Sequence, residues 1–220
     1  MVDIHRPVGQ LVAERPDLAS ALERWGIDYC CGGGRSLAAA CAAREVSVEE
    51  ILGSLGESAP SDGTRWDQAG VEELVDHILF THHAYLRREL PALGERLARV
   101  ARVHGDNHPE LRQLKALFEE LSDELLSHMA KEEQILFPAV VNGGHFPLDG
   151  PIQVMMLEHD HAGSLLASMR QLSGGFEPPA DGCATYRALY AGLDALEKDL
   201  HQHIHLENNI LFPRVLSGIS

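Results

Sequence analysis

The sequence predicts an all-α chain, in which an up-down four-helix bundle follows a small helical domain. Three observations predict it. Four long segments, about 70–103, 109–137, 152–173 and 183–212, carry apolar residues at steps of three and four, the repeat of a single buried helix face. No stretch alternates apolar and polar residues as a half-buried strand would. Most of the eleven prolines fall between the periodic segments, where they punctuate helices.

The N-terminal region reads as four short helices at roughly 8–14, 17–25, 36–44 and 47–55. Ser36 and Ser47 sit where N-caps belong, and Ser47-Val48-Glu49-Glu50 fits a capping box. Residues 57–70 are polar and contain Pro60, Gly63 and Gly70, so they read as a linker between a domain at 1–56 and a bundle at 71–220. A linker of this length spans up to ~45 Å when extended. Pro109 and Pro151 stand at helix starts, where the missing N–H costs nothing. Pro138 and Pro213 are expected to end the second and fourth long helices. Apart from residues 138–151 and 174–182 the connections are short, which makes antiparallel neighbours of successive helices.

Bulk properties narrow the function. The chain has 220 residues, enough for one or two domains with a sizeable core, and a formal net charge of −15. A surface that negative repels phosphate backbones, so nucleic acid is excluded as a partner. No apolar run reaches the roughly 18 residues of a membrane span, and Met1-Val2-Asp3-Ile4-His5-Arg6 opens no signal-length apolar stretch. The expectation is a cytoplasmic protein without a membrane partner. Four cysteines, two of them adjacent, form neither a disulfide framework nor a CxxC zinc motif. Thirteen histidines are many for this length, and their placement is informative.

The second and fourth long helices share a repeat. Residues 128–138 read His-Met-Ala-Lys-Glu-Glu-Gln-Ile-Leu-Phe-Pro, and 203–213 read His-Ile-His-Leu-Glu-Asn-Asn-Ile-Leu-Phe-Pro, 75 positions on. The inward stripe of the second helix runs Leu111, Leu114, Phe118, Leu121, Leu125, His128, Glu132, Ile135. That of the fourth runs Tyr186, Leu189, Leu193, Leu196, Leu200, His203, Glu207, Ile210. In each, the strongly polar members are one His and one Glu four residues apart. The first helix adds His83 between Leu79 and Leu86, and the third adds His159 between Met155 and Ala162. His82 lines up with Glu89 and Arg96 and is expected on the solvent side.

Burying a lone carboxylate costs several kcal/mol unless a cation compensates. Two carboxylates and four imidazoles exceed the needs of one ion and suit two, with positions left for water or substrate. Structural zinc prefers four closed ligands, often with Cys, and magnesium or calcium prefers oxygen. A mixed His/carboxylate set in a helical bundle favours iron, with manganese next. The candidate metal ligands are His83, His128, Glu132, His159, His203 and Glu207, with Glu158 and His161 beside His159 in reach of an open position or a surrounding hydrogen bond.

Asp28-Tyr29-Cys30-Cys31-Gly32-Gly33-Gly34 sits between two predicted helices. Adjacent cysteines rarely bond to each other, because the ring is strained. Thiols there can bind a soft metal, attack a disulfide or bond to another thiol, or they are two small buried hydrophobes.

These motifs together resemble the iron–sulfur cluster repair di-iron proteins. The likeness rests on Asp28-Tyr29-Cys30-Cys31-Gly32-Gly33, on Ser127-His128-Met129 with Lys131 to Pro138, on Glu158-His159-Asp160, and on Leu206-Glu207-Asn208-Asn209 before Leu211-Phe212-Pro213. It covers nearly the whole chain and implies a hemerythrin-like bundle behind a small double-cysteine domain. It also implies two iron ions, carboxylate- and oxo-bridged, on the same six residues, with Glu132 and Glu207 bridging. The implied function is repair of clusters damaged by oxidative or nitrosative stress, through iron donation aided by Cys30 and Cys31, through nitric oxide reduction, or both. The implied partners are damaged iron–sulfur proteins and the diatomic ligands nitric oxide and dioxygen. A hemerythrin-like dioxygen or nitric oxide carrier or sensor is the alternative, and a metal-free helical adaptor is a third reading.

Overall fold

The computed structural model describes residues 2–53, 64–142 and 147–218, all of them outside strands apart from an isolated bridge between Pro7 and Ser36. It divides into two compact units, residues 1–78 with 201–220, and residues 79–200.

The first unit opens with four short helices, α1 (Val8–Glu14), α2 (Leu18–Arg24), α3 (Leu37–Ala43) and α4 (Val48–Gly53). Their lengths are marginal for isolated helices, so their stability comes from one shared apolar core that includes Val8, Leu11, Leu22, Leu37 and Ile51. The expected caps form. Ser36 Oγ accepts from the Ala39 N–H at 3.2 Å. At α4 the Ser47 N–H donates to Glu50 Oε2 at 2.8 Å while the Glu50 N–H donates to Ser47 Oγ at 3.1 Å, the reciprocal box. The expected linker lies partly outside the described residues. Its described part, 64–70, is tied down: Trp66 stacks on His77 with ring centroids 4.0 Å apart, and Arg214 donates to the Ala69 carbonyl at 2.7 Å.

The second unit holds the bundle. Its helices are α6 (Ala84–His104), α7 (Glu110–Lys131), α8 (Phe137–Asn142), α9 (Asp149–Leu172) and most of α10 (Ala184–Leu206), while α5 (Val71–His77) and α11 (Phe212–Ser217) belong to the first unit. Side-chain pairs fix the antiparallel order. Arg87 near the start of α6 meets Glu133 beyond the end of α7. His128 late in α7 meets Glu158 early in α9. Arg170 late in α9 meets Asp194 on α10, and Arg96 of α6 donates to the Ala188 carbonyl of α10. The core is the predicted stripe, including Leu90, Leu97, Leu114, Leu121, Leu166, Leu189 and Leu196. Among the described residues no helix is long and apolar enough to cross a membrane.

Three departures from the sequence reading fall in or beside irregular turns of the long helices. Wide π turns interrupt the long helices at Ile78–His83, Glu132–Leu136 and Glu207–Leu211. Each inserts a residue and rotates what flanks it. Pro138 and Pro213 therefore do not end their helices, because the chain continues through them as α8 and α11. The π turns close with the Phe137 N–H on the Glu132 carbonyl and the Phe212 N–H on the Glu207 carbonyl, just ahead of each proline. Ile135, expected inward, is 55% exposed, and Leu136 takes the buried place at 2%. His82, expected in solvent, is buried, and its Nδ1–H donates to Asp199 Oδ1 at 3.0 Å.

Candidate metal centre

In the bundle unit, α6, α7 and α9 bring His83, His128, Glu132 and His159 together, each no more than 3% exposed. His83 closes the first π turn and Glu132 opens the second. The two Glu132 oxygens divide between two histidines: Oε2 lies 3.4 Å from His83 Nε2, and Oε1 lies 3.3 Å from His128 Nε2. Neither oxygen accepts a hydrogen bond among the described residues. A fully buried carboxylate in that condition costs several kcal/mol unless a cation offsets it. His159 Nε2 lies 3.0 Å from His128 Nε2. Two nitrogens bound at right angles to one ion at about 2.1 Å each lie about 3.0 Å apart. One donor atom from each of His128, Glu132 and His159 falls within 4.8 Å of the others.

Two further carboxylates set the imidazole tautomers. His83 Nδ1–H donates to Glu133 Oε1 at 2.7 Å, and Arg87 donates to the other Glu133 oxygen at 2.6 Å. His128 Nδ1–H donates to Glu158 Oε2 at 2.8 Å, and Lys131 holds the other Glu158 oxygen. Partial burial pushes both carboxyls up. Arg87 with His83, and Lys131 with His128, outweigh it and hold both below the usual carboxylate range. Ionised carboxylates only accept, so each Nδ1 carries its proton, and in the neutral imidazole it is Nε2 that offers a lone pair on the Glu132 side. The sequence reading singled out Glu158 but missed Glu133, Arg87 and Lys131. The signal was present, since Glu133 and Lys131 flank Glu132 directly. His161 points elsewhere: it is exposed and reaches Glu120 and Glu124 at 3.5 and 3.3 Å.

In the first unit, His203 near the end of α10 and Glu207 at the start of the third π turn are both buried, with Nε2 and Oε1 3.1 Å apart. The same unit carries the double-cysteine loop. Neither Cys30 nor Cys31 is in a disulfide; Cys30 is buried and Cys31 half-buried. Asp28 organises the loop, its Oδ1 accepting from the N–H groups of Cys30 and Cys31 at 2.9 and 3.0 Å and its Oδ2 from that of Gly32 at 2.8 Å. The neighbouring Cys31 thiol and burial hold the proton of Cys30, raising it well above the usual thiol range. Asn209, two residues past Glu207, donates to the carbonyls of Tyr29 at 3.3 Å and Cys30 at 2.9 Å. His205, for which no role was expected, is buried edge-on against Tyr29 with centroids 5.4 Å apart. Burial pushes its imidazole down to about 4, so it is neutral at physiological pH.

Comparison with known proteins adds three findings. Residues 74–215 match the hemerythrin HHE cation-binding domain, and residues 4–59 match ScdA_N, a domain of unknown function. Over 214 residues the chain is 41% identical to the iron-sulfur cluster repair protein YtfE of Escherichia coli O157:H7, with 97% of each chain covered. It is 41% identical over 215 residues to the YtfE of Enterobacter sp. strain 638 and 40% identical over 214 to that of Shigella boydii serotype 4, again at 97% of each chain.

Proposed function

The chain belongs to the iron–sulfur cluster repair protein family, with a metal-binding hemerythrin HHE domain, and from that premise we propose that it repairs damaged iron–sulfur clusters with two iron ions held by His83, His128, Glu132, His159, His203 and Glu207. One observation carries the reading: Glu132, buried and without a hydrogen bond on either oxygen among the described residues, turns one oxygen to His83 and the other to His128. That is what a carboxylate bridging two ions requires. Glu207 stands in the same four-residue relation to His203 as Glu132 does to His128, and serves as the second bridge. The small domain at 1–56 carries the thiols and the bundle at 71–220 carries the metal.

When bound, the iron pair supplies labile ferrous ions for rebuilding a cluster and open positions for diatomic ligands. The chain's own groups do the rest. Glu133 and Glu158 hold His83 and His128 in the ligating tautomer, and Arg87 and Lys131 keep those carboxylates charged. Ser127, Lys131, Leu157 and Glu158 help to line a groove of about 540 Å³ that reaches His128 and His159 and gives small ligands a way in. The groove supports the second reading, a carrier or sensor of nitric oxide or dioxygen. Donation is favoured, because Asn209 ties the thiol loop two residues from Glu207.

Anaerobic iron loading followed by metal analysis tests the centre. Two ions per chain are expected, and well under one would overturn it. Restoring a cluster-depleted acceptor under the same conditions tests repair, and reversible gas binding without any restoration would favour the carrier.

A further inference from the structure

The first unit contains a second group of possible metal donors, one that includes no histidine. One donor atom from each of Asp28, Cys30 and Cys31 lies within 4.8 Å of the other two. The sulfurs are 3.9 Å apart, and Cys30 Sγ lies 3.2 Å from Asp28 Oδ1. Two thiolates about 2.3 Å from one tetrahedral ion lie about 3.8 Å apart, so the pair already has the spacing of a chelate. The loop is built to keep it. Asp28 is fixed by three backbone N–H groups, and Asn209 holds the peptide between the cysteines from the other side. Gly33 has no room for a side chain: a Cβ there would lie 2.4 Å from Asn209 Oδ1 and 2.6 Å from the Tyr29 carbonyl oxygen. Any larger residue forces the loop off its anchor.

From this geometry we propose that Asp28, Cys30 and Cys31 form a second cation site, which takes ferrous iron as cargo through two thiolates and one carboxylate oxygen. On binding, each thiol gives its proton to solvent and the ion keeps its charge, so no oxidant or reductant is needed. Sulfur-rich donors select iron and other borderline-to-soft ions over magnesium and calcium. Three donors leave a fourth position, and half-exposed Cys31 puts it where a cysteine of an acceptor protein can enter. Buried Cys30 anchors the ion while it is exchanged. The cargo role rests on the repair reading; the site itself does not.

The test uses the full chain, reduced and loaded without air with two equivalents of iron per chain, then titrated with cobalt(II) as the probe. One further equivalent is expected to bind with a thiolate-to-cobalt charge-transfer absorption. Cys31→Ser, at a half-buried position, and Cys30→Ser should each abolish that absorption with the helical circular dichroism unchanged. Asp28→Asn keeps the acceptor for the Cys30 and Cys31 N–H groups, loses the one for Gly32, and should weaken cobalt binding at least tenfold, the lower end of what losing even an indirect partner of a metal costs. No thiolate absorption in the folded wild-type chain, or one that survives Cys31→Ser, overturns the site. Iron content measured on the same samples separates the two proposals. A full iron complement without the cobalt band sinks only the cation site, whereas the band in a chain that takes up no iron sinks the histidine centre and the iron cargo while the cation site stands.

Discussion

At the scale of single residues, the burial of the histidine and glutamate positions was legible where the helix was regular. His128, Glu132, His203 and Glu207 were found because a polar pair interrupts an apolar stripe twice at one spacing. Replacing Glu132 separates metal binding from folding. Its charge is buried at 0% exposure, so Glu132→Leu should leave the metal-free protein as stable as before or about 1–4 kcal/mol more so. Iron per chain should fall to background. A collapse of the metal-free variant in thermal unfolding would mean the carboxylate props up the bundle. Cys183 was not legible, because its environment comes from the fold. It immediately precedes α10, accepts from the N–H of Tyr186, and lies 3.3 Å from His104 Nε2. The helix-start N–H groups, Tyr186 first, and then His104 pull its thiol down to about 7. A lowered value means that thiolate accumulates as pH rises through 7. Alkylation of Cys183 should therefore be half-maximal near pH 7, while Cys41, raised by burial, stays slow. A midpoint above 8 in mass-spectrometric labelling would contradict this.

At the scale of elements, the apolar periodicity specified four helices and their antiparallel order but not the π turns. A π turn adds one residue without changing composition, so a fixed step of three and four slips past it. His82 and Ile135, both inside π turns, were assigned to the wrong faces, while His83 and Ile210, also inside π turns, were assigned to the right ones. Two glycines show how closely elements approach, with different consequences. A Cβ on Gly192 would lie 2.6 Å from the Cδ2 of Leu93, the movable end of a side chain. The helix propensity gained, about 1 kcal/mol, offsets the repacking, so Gly192→Ala should stay within about 1 kcal/mol of wild type. A Cβ on Gly9 of α1 would lie 2.1 Å from Asn209 Oδ1 and 3.2 Å from its Cβ, near the backbone. Gly9→Ala should cost about 1–3 kcal/mol in urea unfolding. It should also speed alkylation of Cys30 and Cys31 as the Asn209 anchor loosens. Equal stability losses at the two positions would show that the contrast is wrong.

At the scale of the whole molecule, the strongly negative charge and the absence of any membrane-length apolar stretch restricted the function, the repeat pointed to a two-ion site, and the family resemblance implied repair. What the sequence did not reveal is that residues 201–220 group with the first 78. Apolar patterning says which face is buried but not against which partner. Apart from the buried histidine and glutamate cluster, the bundle unit has a large apolar core of its own, so metal is not what holds it together. An ion that binds only the folded state at a thousand times its dissociation constant adds about 4 kcal/mol. Chelation should therefore lower the melting temperature while leaving the helical circular dichroism at 25 °C intact. Loss of helix at that temperature would place this protein among those that fold only around their metal.

The anchor on the thiol loop has a consequence for synthesis. Asn209 is 180 residues beyond Tyr29, whose carbonyl it holds. At translation rates of about 5–20 residues per second, the nascent cysteine pair waits roughly 10–40 s for its restraint to leave the ribosome. Throughout that interval the pair has no such tether, and a ribosome stalled upstream of Asn209 leaves it that way.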